Sequence, residues 1–302
     1  MIDFVGAGPG AVDLITVRGM HALQQADVVV YAGSLVDPEM LAYCRPDVEV
    51  HDSAHMTLEE VVDVLVASDR AGKRTVRLHT GDPAMYGAIR EQMDLLDEAG
   101  VTYRVIPGVS SVFAAAAALN CEFTLPSVSQ SLVLTRVEGR TPVPSGEELR
   151  TFAAHGCTIA LFLSCGLLER AREELLTGGL SPQTPAALVY RASWPDEKIV
   201  RCDVGSLPEA AREAGLSRQA IVLVGNALAG SLKAAHAERS LLYDPSFTHG
   251  YRVGTGGDET LAGSTDARPA TQDDTQGMQG MQDLQGMQGM QDLRDPHDKA
   301  HA

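Results

Sequence analysis

The sequence predicts two consecutive α/β domains followed by a low-complexity tail. Apolar runs of strand length alternate with segments of helical period over roughly the first 250 residues, glycine-bearing turns follow several of those runs, and the composition changes abruptly near residue 252. The expected boundaries are 1–122 for the first domain, 123–252 for the second and 253–302 for the tail.

Five runs in the first domain read as strands: IDFVGAG, DVVVYAG, VEVHDS, TVRLHTG and YRVIPG. Between them, LITVRGMHALQQA, DPEMLAYC, TLEEVVDVLVASDRAGK and YGAIREQMDLLDEAG carry apolar residues at helical spacing. Two of these end at a glycine, Gly72 and Gly100, as helix termini often do. Strand and helix in alternation imply a mostly parallel sheet, and the Ala-rich SSVFAAAAALN closes the domain as a helix. CEFTLPSVSQ (121–130) has no period and marks the boundary. The second domain then reads as strand SLVLTRV, helix GEELRTFAAHG, strand TIALFLS and helix LLERAREELLTGG. Strands PAALVYRAS, EKIVRCDV and QAIVLVGNAL follow with one helical segment, LPEAAREAGL, among them, so this sheet is expected to be mixed, with antiparallel pairs. Beyond residue 252 the chain is polar and glycine-rich, and QGMQGMQDL occurs twice in succession, at 276–284 and 285–293. With few aromatics and no apolar period, the tail is expected to be disordered and dispensable, because it cannot bury enough surface to offset its ordering entropy.

The chain has 302 residues, 44% hydrophobic and 21% charged, with a net charge of -16. Such a balance disfavours nucleic acid and anionic membranes as partners. Five scattered cysteines without a CxxC read as buried thiols in a reducing compartment, not as a disulfide frame or a metal site. The N-terminal MIDFVGAG lacks a basic signal region, and the longest apolar stretch, TIALFLSCGLL, is too short to span a bilayer. The expectation is a cytoplasmic protein.

The chemistry is expected in three loops. VGAGPG follows the first strand, HTGDPAMYG (79–87) the fourth and IPGVSSVFAAA (106–116) the fifth, and in an open α/β sheet ligands bind outside the carboxyl ends of the strands. Gly6, Gly8 and Ala11 loosely satisfy a dinucleotide fingerprint. Two tests count against that ligand. Pro9 and Gly10 delay the helical period to near Leu14, so no helix N-terminus opens in the loop, and the second strand ends in VVVYAG with no acid for a ribose. The phosphate-cradling GxxxxGK(S/T) pattern is absent.

Taken together, VGAGPG, TGDP and PGVSS resemble the tetrapyrrole methylase superfamily. VYAGSLVDPEML, HDSAHMTLEE, LPSVSQSLVLTR, GRTPVP, YRASWPDEKIV and LYDPSFTHGYR narrow the likeness to the precorrin-4 (cobalt-precorrin-4) C11-methyltransferases of corrin-ring synthesis, over about residues 1 to 252. The resemblance implies two α/β domains of the tetrapyrrole methylase type with a ligand cleft between them, a homodimer, and S-adenosyl-L-methionine as methyl donor to a tetrapyrrole, with no metal on the enzyme. By the same pattern, Pro9, Gly81, Asp82, Met85, Ser110 and Ser111 carry over to the cofactor site, and Leu163 and Ala192 to its adenosine pocket. Backbone contacts are also expected from residues 219–225. Asp82 can either pin its loop before Pro83 or reach the cofactor's donors, and Ser110 and Ser111 can cap the next helix and still touch ligand. The substrate's carboxylates call for a basic trough in an acidic protein, with Arg18, Arg136, Arg140 and Arg191 as candidates. No His/Asp pair marks a general base, and His79, beside TGDP, is the one catalytic candidate. Competing readings are a methyltransferase for uroporphyrinogen III, another precorrin, RNA or protein, a dehydrogenase, and a binding module acting through the tail.

Overall fold

The computed structural model describes residues 1–255; most of the expected tail, with both QGMQGMQDL copies, lies outside the described residues. Met1–Arg239, which holds both sheets, forms one compact unit and the chain from Ser240 on belongs to a second.

The first sheet contains β1 (Ile2–Gly6), β2 (Val28–Tyr31), β3 (Glu49–Asp52), β4 (Thr75–His79) and β5 (Tyr103–Ile106), in the order β3-β2-β4-β1-β5. Every pairing is parallel, as alternation of strand and helix requires. Ile2, Phe4, Val28 and Val30 pack on α2 (Leu58–Arg70) and α3 (Ile89–Glu98). On the other face, Val5, Val29 and Leu78 pack on α1 (Val17–Gln25) and the Pro38–Tyr43 turn. The segment DPEMLAYC, read as a helix, is this 3-10 turn; Asp37 caps it and Pro38 starts it, but it spans only six residues. Thr57 and Glu60 form a reciprocal capping box on α2, and Gly72, at φ 69°, ends that helix.

The second sheet contains β6 (Leu132–Arg136), β7 (Thr158–Phe162), β8 (Pro185–Tyr190), β9 (Lys198–Asp203) and β10 (Ala220–Val224), ordered β6-β7-β10-β8-β9. β6 and β7 are parallel, and the other pairings are antiparallel. One face is covered by α5 (Leu149–Ala153), α6 (Leu168–Thr177) and α7 (Leu207–Glu213). The other face receives α4 (Ser111–Leu119), the helix that closes the first domain. Its alanines permit close approach: Val112, Ala115 and Leu119 pack on Ala160, Ala187, Val189 and Leu223. α4 therefore joins the two sheets, and its N-terminus is fixed relative to both.

The segment from Ser240 is tied to itself. Arg252 donates to the carbonyls of Leu242 and Asp244, at 2.9 and 2.6 Å, and pairs with His249 across a bridge. No helix among the described residues is long and apolar enough to cross a membrane.

Candidate functional site

The loops after β1, β4 and β5 meet at the carboxyl edge of the first sheet. Gly8 and Gly81 exchange two backbone hydrogen bonds, at 3.2 and 2.7 Å. A Cβ on Gly6 would stand 2.6 Å from the Gly108 Cα and from the Gly81 carbonyl oxygen, so the three loops interlock only because glycine stands at these crossings. Gly81 is also left-handed, at φ 59°. Asp82 completes the junction. Its Oδ2 accepts from Gly108 N at 2.9 Å and its Oδ1 from Ala84 N at 2.8 Å, so one carboxylate binds the second loop to the third. Of its two expected roles, the loop pin is the one the structure displays.

Ser110 occupies the N-cap position of α4 and is 8% exposed, yet its hydroxyl makes no capping bond. Ser111 is the first helical residue, and neither hydroxyl has a hydrogen-bond partner among the described residues. Two hydroxyls beside the positive end of a helix suit a polar or anionic group. Met85 N donates to Asp82 O at 3.1 Å in the turn that leads to Tyr86.

The second sheet presents one edge to these loops. β6, β7 and β8 run in the same direction, so Arg136, Leu163 and Arg191 lie at or just beyond their carboxyl ends. Tyr86 packs on Phe162, with ring centroids 5.3 Å apart. The Trp194 indole N–H donates to the Pro9 carbonyl at 3.0 Å, Ala11 N donates to Ser193 Oγ at 3.0 Å, and Gln219 Nε2 donates to Ser34 O at 3.1 Å. Leu163 is 70% exposed and left-handed, at φ 51°. A bulky apolar side chain in that conformation costs stability and gains little burial, a combination that concentrates at binding sites. Ala192 is buried against the α4 side of the sheet.

Pro9, Gly81, Asp82, Met85, Ser110, Ser111, Leu163 and Ala192 thus stand on the facing edges of the two sheets. The basic candidates divide. The Arg136 guanidinium donates to the Thr141 and Pro142 carbonyls, at 3.1 and 2.7 Å, and its charge also acts on Tyr86. Arg140 is exposed and has no ion pair among the described residues. Arg191 stacks over the Trp194 ring, 3.9 Å from its centroid, and pairs with Asp196 at 2.6 Å, so its charge is already engaged.

Two candidates lie apart from the loops. Arg18 lines an open groove with Asp3, Gln25, Arg74 and Arg104, at the amino ends of β1 and β4 and away from the glycine loops. Because α1 runs back along the sheet, closeness in sequence to the first loop does not keep a side chain there. His79 is 6% exposed and stacked on Phe4 at 6.0 Å, on the face covered by α2 and α3. Burial, reinforced by the Arg77 charge, pushes its pKa down to about 3, and its Nε2 has no partner. An imidazole enclosed in the core and this reluctant to take a proton is poorly suited to act as general base for a ligand at the loops. Missed in the sequence were Tyr86, Phe162, Ser193 and Trp194. Only Trp194 carried a signal, as the one tryptophan of the chain.

Comparison with known proteins agrees with this geometry. Residues 1–208 match the family model for tetrapyrrole (corrin/porphyrin) methylases. A cobalt-precorrin-4 C(11)-methyltransferase of Priestia megaterium is 53% identical over 250 residues, 83% of this chain and 96% of the relative. The X-ray structure of a cobalt precorrin-4 methyltransferase, a cobalamin biosynthetic enzyme, superposes with a TM-score of 0.74 at 53% identity, covering 75% of this chain and 95% of the other. A uroporphyrin-III C-methyl transferase from Thermus thermophilus, complexed with S-adenosylhomocysteine, gives a TM-score of 0.64 at 27% identity, covering 75% and 92%. By the family model and by this identity, the chain belongs to the tetrapyrrole methylase family.

Proposed function

We propose that this protein transfers a methyl group from S-adenosyl-L-methionine to carbon 11 of precorrin-4 or cobalt-precorrin-4, a step of corrin-ring formation, as a homodimer in the cytoplasm. The observation that carries this reading is the convergence of three glycine loops at the carboxyl edge of the first sheet, in a chain 53% identical to a cobalt-precorrin-4 C(11)-methyltransferase along nearly all of that relative's length. S-adenosylmethionine, when bound, supplies a methyl group on a sulfonium, already an activated leaving group.

The residues present fit that donor. The paired backbones of Gly8 and Gly81 bring the first two loops together, Asp82 fixes the approach of the second and third loops, and Ser110 and Ser111 offer unused hydroxyls. Leu163 offers exposed apolar surface, and Pro9 and Ala192 shape the walls. The contribution of the protein is alignment of the reactants and exclusion of water, which a rigid junction of this kind provides. Half-buried Arg136 and exposed Arg140 are the candidates for a substrate rimmed with carboxylates, because a guanidinium suits a carboxylate in geometry and charge.

The test is incubation with precorrin-4 or its cobalt complex and methyl-labelled S-adenosylmethionine, followed by location of the label on the ring. Label at carbon 11 is expected. Label at another carbon, or on uroporphyrinogen III alone, would place the chain elsewhere among the tetrapyrrole methylases.

A further inference from the structure

The segment after β8 is more constrained than a turn between antiparallel strands requires. Arg191 and Ser193 are both left-handed, at φ 45° and 70°. Arg191 N donates to the carbonyl of Gln219, itself left-handed at φ 56°. Conformations of this kind persist only where surrounding contacts impose them. Here the contacts converge on Trp194. Its indole N–H donates to the Pro9 carbonyl at 3.0 Å, and a Cβ on Gly10 would overlap its ring. The next residue, Ala11, donates its N–H to Ser193 Oγ at 3.0 Å. The indole also carries the Arg191 guanidinium, held by Asp196, while Ser193 N donates to Glu197 Oε2 at 2.7 Å. Three successive residues of the first loop are thus fastened to one cluster of the second domain.

We infer that Trp194 is a positioning residue for the methyl-donor site, acting through the Pro9–Gly10 backbone, an inference that rests on the reading of that loop as part of the donor site. A loop with glycine at positions 6, 8 and 10 has many conformations to lose. The indole removes that freedom before any ligand arrives, so the donor meets a loop already ordered, and affinity gains by preorganisation. Gly10 is required for the same reason: any side chain there would displace the ring. The latch also joins the two domains at the donor end of the facing edges, whereas Arg136 and Arg140 lie in and after β6, at the far side of the second sheet. Its loss is therefore expected to act on the donor and not on the tetrapyrrole.

The test compares Trp194→Phe, which keeps a ring over Gly10 but loses the N–H, with Trp194→Ala, which loses both. Calorimetric titration of S-adenosylhomocysteine is expected to show binding weakened about tenfold in the first, roughly 1.4 kcal/mol, and further in the second. The KM for S-adenosylmethionine should rise in the same order, with the KM for the tetrapyrrole within twofold of the wild type. Because Trp194 is the only tryptophan, its emission in the wild-type protein should change on titration, with the same Kd as the calorimetry. Wild-type affinity in both variants would overturn the inference alone. Equal losses for both reactants in step with a fallen melting temperature would also overturn it, by making the role structural. Absence of any binding to the wild-type protein would overturn the donor-site reading as well.

Discussion

Asp82 shows how much one side chain can hold. Each of its carboxylate oxygens accepts a backbone N–H, one from its own turn and one from the loop after β5. Asparagine has a single acceptor oxygen and would turn an amide N–H towards one of those donors. Asp82→Asn should therefore lower stability nearly as much as Asp82→Ala, by roughly 1.5–3 kcal/mol for a hydrogen bond to a charged group, and weaken S-adenosylhomocysteine binding in both variants. Denaturant unfolding with parallel calorimetry reads both effects; a normal Asp82→Asn protein would remove the junction role. His79 makes a different contribution. Its folded pKa is near 3 against an ordinary value of 6.5, so between those values the unfolded chain binds a proton that the native state refuses. The native state therefore loses stability as pH falls from about 6.5 towards 3, by up to about 1.4 kcal/mol per pH unit, and above that window the group has no effect. His79→Leu should flatten the fall in unfolding free energy between pH 7 and pH 4.5. An unchanged slope would show that another group governs acid sensitivity.

At the scale of elements, a strand ending in glycine was easily read, and what the glycine touches was not. The five first-domain strands and α2, with Gly72 behind it, follow from apolar period and turn chemistry within a dozen residues. The mixed second sheet followed from having too few helices to cover parallel crossovers. The interlock of Gly6, Gly81 and Gly108 depends on three distant segments meeting, and the Trp194 contact with Pro9 joins residues from different domains. No local pattern encodes such pairings. The same limit explains His79 and Arg18: both lie near a site loop in sequence, but strand alternation turns one into the core and helix direction carries the other to the far edge. Leu163 gives this scale its test. A left-handed leucine with most of its side chain in solvent costs about 1–2 kcal/mol against glycine, part of which glycine returns through its freer unfolded chain. Leu163→Gly should therefore be neutral or stabilised by up to about 1 kcal/mol while losing affinity for S-adenosylhomocysteine. Clear destabilisation with normal affinity would show that Leu163 serves packing.

At the scale of the whole molecule, an acidic protein has to accept a polyanion. The net charge is -16, and residues 256–302 hold nine Asp or Glu against three Lys or Arg, so six of the sixteen net charges belong to that stretch. In the proposed reading Arg136 and Arg140 answer the substrate's carboxylates locally, but the long-range field opposes its arrival. Charges interact over about 30 Å at 0.01 M salt and about 10 Å at 0.1 M, so the opposition should matter only when salt is low. A chain ending after Thr255 should unfold cooperatively at the same temperature and turn over at the same kcat as the full chain. At low salt its KM for the tetrapyrrole should be the smaller of the two, and the difference should vanish near physiological ionic strength. The KM for S-adenosylmethionine, which carries no large negative charge, should be the same for both chains at every salt concentration. A shortened chain that loses cooperative unfolding or activity would give the repeats a structural or catalytic part. A difference in tetrapyrrole KM that persisted at high salt would instead mean that those residues contact the substrate directly.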